Sequence, residues 1–125
     1  MNVVDSSAWL EYLAAGPNAA FFADAIENVA ELVVPTISIY EVFKRIMQQR
    51  SENEALQVVA VMQQGRVSEM DSTVALSAAR ISIDYQLPMA DSVMLATARL
   101  NKATFWTQDA HFEGLPDVRY KKSPL

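Results

Sequence analysis

The chain contains no cysteine, one histidine and only three glycines. The missing thiols exclude a disulfide framework, thiolate zinc sites, iron–sulfur ligation and a cysteine nucleophile. A lone imidazole, His111, excludes any site that needs two. Gly16, Gly65 and Gly114 stand far apart, so no glycine-rich phosphate loop of the P-loop or dinucleotide type can be built from them. Positive charge is scarce as well: ten lysines and arginines face fifteen acids, for a net charge of −5. On its own, that balance counts against a nucleic-acid partner. Long apolar runs are missing too. No stretch approaches the roughly 20 uncharged residues of a membrane span. Residues 1–20 lack a basic start, and Asp5 and Glu11 interrupt their apolar run, so we expect a cytoplasmic protein rather than an exported one.

What remains suffices for a packed core. In 125 residues, 51% are hydrophobic and 20% charged. The size and the lack of linkers, repeats or low-complexity segments predict one domain spanning 1–125.

The segment Met1–Asp5 reads as a short buried strand ending on a carboxylate. Ser6 or Ser7 then caps a helix that Gly16-Pro17 stops, and Asn18 caps the next. Leu32-Val33-Val34 is a second strand. Ser38-Ile39-Tyr40-Glu41 has capping-box spacing and opens a helix carrying Val42, Phe43, Ile46 and Met47. Ser51 starts another, through Met62, with Gly65 closing it. Arg66–Met70 is a third strand candidate, and Asp71 caps a long amphipathic helix. Pro88 sits as a first-turn proline of a helix running to Leu100. Ala103–Trp106 and Val118–Tyr120 supply the last strands. Apolar strands alternating with helices predict an α/β domain of three α/β/α layers, with a central, mainly parallel sheet of four to five strands.

Ligands of parallel α/β sheets bind beyond the carboxyl ends of the strands. Four acids fall at such boundaries. Asp5 ends the first strand, Glu41 lies in the first turn after the second, Asp91 in the turn opened by Pro88, and Asp109 two residues past the Phe105–Thr107 strand. Helix-dipole chemistry explains any one of them at about 0.3–1 kcal/mol. It does not explain Asp5 among Val3, Val4 and Trp9, or Asp91 among Pro88, Met89, Val93 and Met94, because acids in apolar surroundings need a compensating partner. Lys44 and Arg45 are spaced to pair with Glu41, but no base lies within four positions of Asp5 or Asp91. A hard cation with oxygen ligands, Mg²⁺ with Mn²⁺ as a substitute, would satisfy converging carboxylates.

Four segments carry a resemblance: Val4-Asp5-Ser6-Ser7, Ser38-Ile39-Tyr40-Glu41-Val42, Leu87-Pro88-Met89-Ala90-Asp91-Ser92 and Thr107-Gln108-Asp109-Ala110-His111-Phe112. In their order, over a span from 4 to 112 that covers nearly the whole chain, they resemble the acidic motifs of the PIN-domain family, most of all its VapC-type ribonuclease toxins. The resemblance implies a PIN-like fold and metal-dependent hydrolysis of single-stranded RNA, with Asp5, Glu41, Asp91 and Asp109 as catalytic metal ligands. Asp5 and Asp91 would be the core ligands. Glu41 and Asp109 would act through water, at a second ion or as the base. Ser6 and Thr107 match hydroxyl positions beside the motifs and would orient ligands or waters. His111 stands where relatives often carry an acid, and reads as a hydrogen-bonding loop residue rather than a ligand. The resemblance also implies a VapB-like antitoxin that inserts an apolar helix and a basic side chain, and a homodimer. Phe21, Phe22, Val58 and Met62 are candidate surfaces for either, and equally candidates for the core. Lys44, Arg45 and Arg50, with Arg80, Arg99 and Lys102 on later helices, are candidate phosphate contacts, a solvated helix face being the stronger reading for most of them. Trp9, Tyr12 and Tyr40 are candidates for stacking bases, with the core the stronger role for Trp9.

Two other enzymatic or binding readings keep the fold: a housekeeping PIN nuclease and a non-catalytic RNA- or protein-binding domain. A phosphorelay receiver domain is excluded. Serines rather than a second acid follow Asp5, residues 51–65 hold no aspartate, and 103–109 hold no lysine.

Overall fold

A computed structural model describes all residues, 1–125. Five strands, β1 (Asn2–Val4), β2 (Leu32–Pro35), β3 (Arg66–Ser68), β4 (Thr104–Thr107) and β5 (Val118–Tyr120), form one sheet in the order β3-β2-β1-β4-β5. Every pairing is parallel. Six helices connect them: α1 (Ser6–Leu13), α2 (Ala19–Ile26), α3 (Thr36–Gln49), α4 (Glu52–Met62), α5 (Ser72–Tyr85) and α6 (Met89–Leu100). None is long and apolar enough to cross a membrane.

Strand alternation divides the core in two. Val3, Val33 and Phe105 face one side and pack with α5 and α6 residues such as Ile81, Met94 and Leu95. Their neighbours Val4, Val34 and Trp106 face the other and pack with Trp9, Phe22, Val42 and Met62 from α1 to α4. The result is the expected three-layer α/β/α arrangement, with β1 at its centre. The chain moves outward from β1 through β2 to β3, then returns to place β4 on the other flank of β1. That reversal between β1 and β4 is where such a sheet opens a crevice at its carboxyl edge.

The local start signals are partly as expected. Ser51 Oγ accepts from the Glu54 amide at 3.1 Å, and Asp71 Oδ1 from the Val74 amide at 2.9 Å. Five details differ. The N-cap residue of α1 is Asp5, with no side-chain cap bond, and Ser6 and Ser7 are its first helical residues. Helix α3 begins at Thr36, straight after Pro35, so Ser38-x-x-Glu41 is an interior pair and Glu41 sits in the second turn, not the first. Asn18 occupies an N-cap position, but its side chain donates instead to Gln108 Oε1 and the Lys122 carbonyl. Pro88 is the N-cap of α6 rather than its first residue. Phe22 and Met62 are wholly buried and present no surface, whereas Phe21 and Val58 are half-buried against the same core.

Ser38 is fully buried and its hydroxyl has no hydrogen-bond partner. An unmade buried hydrogen bond costs roughly 1–3 kcal/mol. Replacing Ser38 by alanine is therefore expected to stabilise the fold by about 1 kcal/mol in denaturant unfolding, and a loss of stability would show that the hydroxyl has a partner after all.

Candidate active site: four carboxylates at the sheet's switch point

The β1–β4 register places Val4 beside Trp106, so the next residues, Asp5 and Thr107, emerge side by side. The Asp5 amide donates to the Trp106 carbonyl at 2.8 Å, which fixes the strand end. Asp5 is only 3% exposed. Its Oδ2 accepts from Ser7 Oγ at 2.7 Å and from Thr107 Oγ1 at 2.8 Å, while Oδ1 receives no hydrogen bond. Thr107 also ties in the fourth acid, because the Asp109 amide donates to its Oγ1 at 2.9 Å. The Asp109 carboxylate then caps a short turn over Ala110–Phe112, its Oδ1 accepting from the His111 amide at 2.9 Å.

Glu41 comes in from α3. Its Oε1 accepts from Ser6 Oγ at 2.8 Å, and the same hydroxyl contacts Met94 Sδ at 3.5 Å. Thus Ser6, not Lys44 or Arg45, is the partner of Glu41; no lysine or arginine pairs with any of the four acids. Asp91, in the first turn of α6, completes the set. Asp5, Glu41, Asp91 and Asp109 line one open cleft of about 370 Å³ together with Ser6, Ser7, Tyr40, Lys44 and Arg45.

Electrostatics follow from this crowding. Burial, opposed by the Ser7 and Thr107 hydrogen bonds and reinforced by Asp109 and Glu41, raises the Asp5 carboxyl from 3.8 to about 6. Asp91 is raised to about 7, by burial first and then by repulsion from Asp5, Asp109 and Glu41, partly offset by His111. Two acids held this far above the ordinary range mark a cluster of negative charge without internal compensation.

The structure also places residues that the sequence left in other roles. His111 lies against the cluster, its Nδ1 3.3 Å from Asp109 Oδ1 and 3.9 Å from Asp91 Oδ2. These three residues offer ligand atoms all within 4.8 Å of one another. Ser7, read only as an alternative helix cap, holds Asp5. Of the aromatic candidates, Trp9 is core, Tyr12 donates to Glu27 at 2.8 Å, and Tyr40 stands 59% exposed at the cleft with Lys44 Nζ 5.7 Å from its ring centre. Arg50 faces Glu54 at 3.7 Å and does not line the carboxylate cleft.

An all-parallel α/β/α sheet with an acidic cleft at its switch point defines a class of domain. Residues 3–118 match the family model described as the PIN domain, and the chain belongs to that family. No curated protein matches it by sequence. Among solved structures it is similar to a toxin–antitoxin complex from Klebsiella pneumoniae, with a TM-score of 0.78 at 20% identity over 95% of this chain and 96% of that one. It is also similar to the sarcin–ricin-loop-cleaving toxin VapC20 of Mycobacterium tuberculosis (TM-score 0.75, 12% identity, 93% and 95% covered). A third is DNA-bound VapBC from Salmonella typhimurium (TM-score 0.74, 14% identity, 97% and 96% covered). At these identities the likeness establishes the fold.

Proposed function

We propose that the whole chain, 1–125, works as one PIN unit and is a metal-dependent endoribonuclease, the VapC-type toxin of a toxin–antitoxin pair, hydrolysing phosphodiester bonds in cytoplasmic RNA. The observation that carries this reading is the convergence of Asp5, Glu41, Asp91 and Asp109 on one cleft, none of them in an ion pair with a lysine or arginine. The donor set fits Mg²⁺ or Mn²⁺: oxygen-rich, negatively charged, and open on one side. A non-catalytic PIN domain would have no use for this cluster, which costs the metal-free fold stability.

When bound, a divalent ion would supply an acidified water and positive charge beside the scissile phosphate. Asp5, Asp91, Asp109 and Glu41 would hold it. Ser7 and Thr107 occupy Asp5 Oδ2 and leave Oδ1 without a donor, so that it would be the oxygen available to the ion. Ser6 does the same for Glu41, leaving Oε2 free to accept the proton of the attacking water. Lys44 and Arg45 bind flanking phosphates, and exposed Tyr40 offers a face for an unpaired base. The chain's acidity no longer argues against RNA. With four acids assigned to the site, eleven face ten bases.

The similarity to toxin–antitoxin complexes supports a VapB-like antitoxin partner for this chain as well. A homodimer is part of the same proposal and is tested by the mass of the purified protein in solution. Purified protein should cleave RNA with Mg²⁺ or Mn²⁺ and not in chelator. Its induction should arrest growth unless the antitoxin is co-expressed, and cleavage-site mapping would then identify the target. Cleavage undiminished in chelator would overturn the assignment.

The phosphate contacts make a separate prediction. With cleavage silenced by Asp91→Asn, replacing Lys44 and Arg45 by glutamine should weaken RNA binding alike for all sequences. It should also lower the slope of log affinity against log salt by roughly one per side chain. An unchanged slope would place the RNA path elsewhere.

A further inference from the structure

His111 is the chain's only histidine, and nothing in its surroundings requires an imidazole for folding. Its side chain is 67% exposed, and the one bond that fixes the residue comes from its backbone amide, which any residue but proline supplies. Yet one edge of the exposed ring lies over the acids. Nδ1 is directed at Asp109 and Asp91, at 3.3 and 3.9 Å, and the imidazole enters no side-chain hydrogen bond. The second distance is too long for a hydrogen bond. Both lie within the range open to two ligands of one six-coordinate ion, from about 3 Å at right angles to about 4.2 Å on opposite sides for bonds of about 2.1 Å. A second feature of the same cleft points to an occupant: the nearly buried Asp5 leaves Oδ1 without a donor.

We propose that His111 Nδ1 is a ligand to the cation of this site beside Asp91 and Asp109, and that the site therefore selects a transition ion such as Mn²⁺ over Mg²⁺. This rests on the metal-site reading above. The chemistry of selection is direct. Mg²⁺ binds oxygen and keeps its waters, whereas first-row transition ions accept imidazole readily. A nitrogen donor in an otherwise carboxylate set thus adds affinity for one class of ion and little for the other. The turn that presents it is built by Asp109 itself, whose cap on the His111 amide brings the two donors to one side of the cleft.

With a single histidine in the chain, an imidazole signal has only one source. Mn²⁺ added to the untagged, metal-free protein should show ¹⁴N coupling from one imidazole in pulsed electron paramagnetic resonance, and His111→Ala should abolish it. In titrations, His111→Ala should weaken Mn²⁺ binding about tenfold or more and leave Mg²⁺ binding within about twofold. His111→Asp should shift the preference toward Mg²⁺. Mn²⁺ bound without nitrogen coupling would overturn the role of His111 while leaving the carboxylate site standing. No Mn²⁺ binding at all would overturn both. An unchanged Mn²⁺ affinity in His111→Ala would mean that the ring only balances charge.

Discussion

Asp91→Asn should lower cleavage by about 10³ or more and at the same time make the metal-free protein more stable. Removing one preorganised group that stabilises developing charge typically costs about 10²–10³ in rate, and a carboxylate that holds the ion supplying that charge is expected to cost at least as much. The stability gain comes from the opposite side of the same arrangement. As a first-turn acid of α6, Asp91 gains at most about 1 kcal/mol from the helix dipole. Its carboxyl is nevertheless raised to about 7, so burial and the three neighbouring acids penalise the charge more than the dipole rewards it. It accepts no hydrogen bond that asparagine would break. Asp5→Asn should lose activity equally and keep its fold, because an amide oxygen can still accept from Ser7 and Thr107. Single-turnover cleavage and thermal unfolding in chelator at pH 8 test both. Full activity in either variant would remove that residue from the site. A melting temperature lowered by many degrees would make the acids structural caps instead.

How far the sequence reached can be judged from particular residues. Asp5, Asp91 and Asp109 were legible because each stands at a strand or helix boundary that a parallel sheet turns to one edge, and because apolar neighbours made the charges of Asp5 and Asp91 anomalous. Glu41 was reached through a first-turn reading that the start of α3 at Thr36 corrects. The sheet was legible because strands such as Leu32–Val34 and Ala103–Trp106 are apolar on both faces. Other features depend on contacts between distant segments, which local spacing does not encode. The capping-box pattern at Ser38 and Glu41 is satisfied by spacing alone. In the folded chain Ser38 points into the core without a partner, and Glu41 bonds to Ser6, 35 residues away. The pairing of Lys44 or Arg45 with Glu41 failed for the same reason, since a nearer hydroxyl occupies the carboxylate. Ser7 was read as a helix cap because spacing does not say which way its hydroxyl turns; it bonds the carboxylate of Asp5, two residues back, which is itself the cap residue of α1. In retrospect the Asp5-Ser6-Ser7 run carried a weak signal, as two hydroxyls beside a buried acid supply donors to a carboxylate.

Stability of the metal-free protein should fall as pH rises from about 4 to about 7, opposite to the acid denaturation of most proteins, and a divalent ion should cancel the fall. Asp5 and Asp91 titrate near 6 and near 7 in the fold but near 3.8 when unfolded. Between those values the folded state binds more protons than the unfolded one, so unfolding becomes easier with each step up in pH. Below about 4 both states are protonated and the full stability is present; it is lost as pH passes through the folded values. For Asp5 alone the difference corresponds to about 3 kcal/mol, and because the two acids repel each other their effects are not additive. Cation binding displaces those protons and removes the repulsion, so its stabilisation should grow with pH over the same window. Denaturant unfolding in chelator at steps from pH 4 to pH 8, repeated with saturating Mn²⁺, measures this. The Asp5→Asn, Asp91→Asn double variant should lose most of the slope. A wild-type stability that rises through this window in chelator would contradict the burial and crowding on which the site rests.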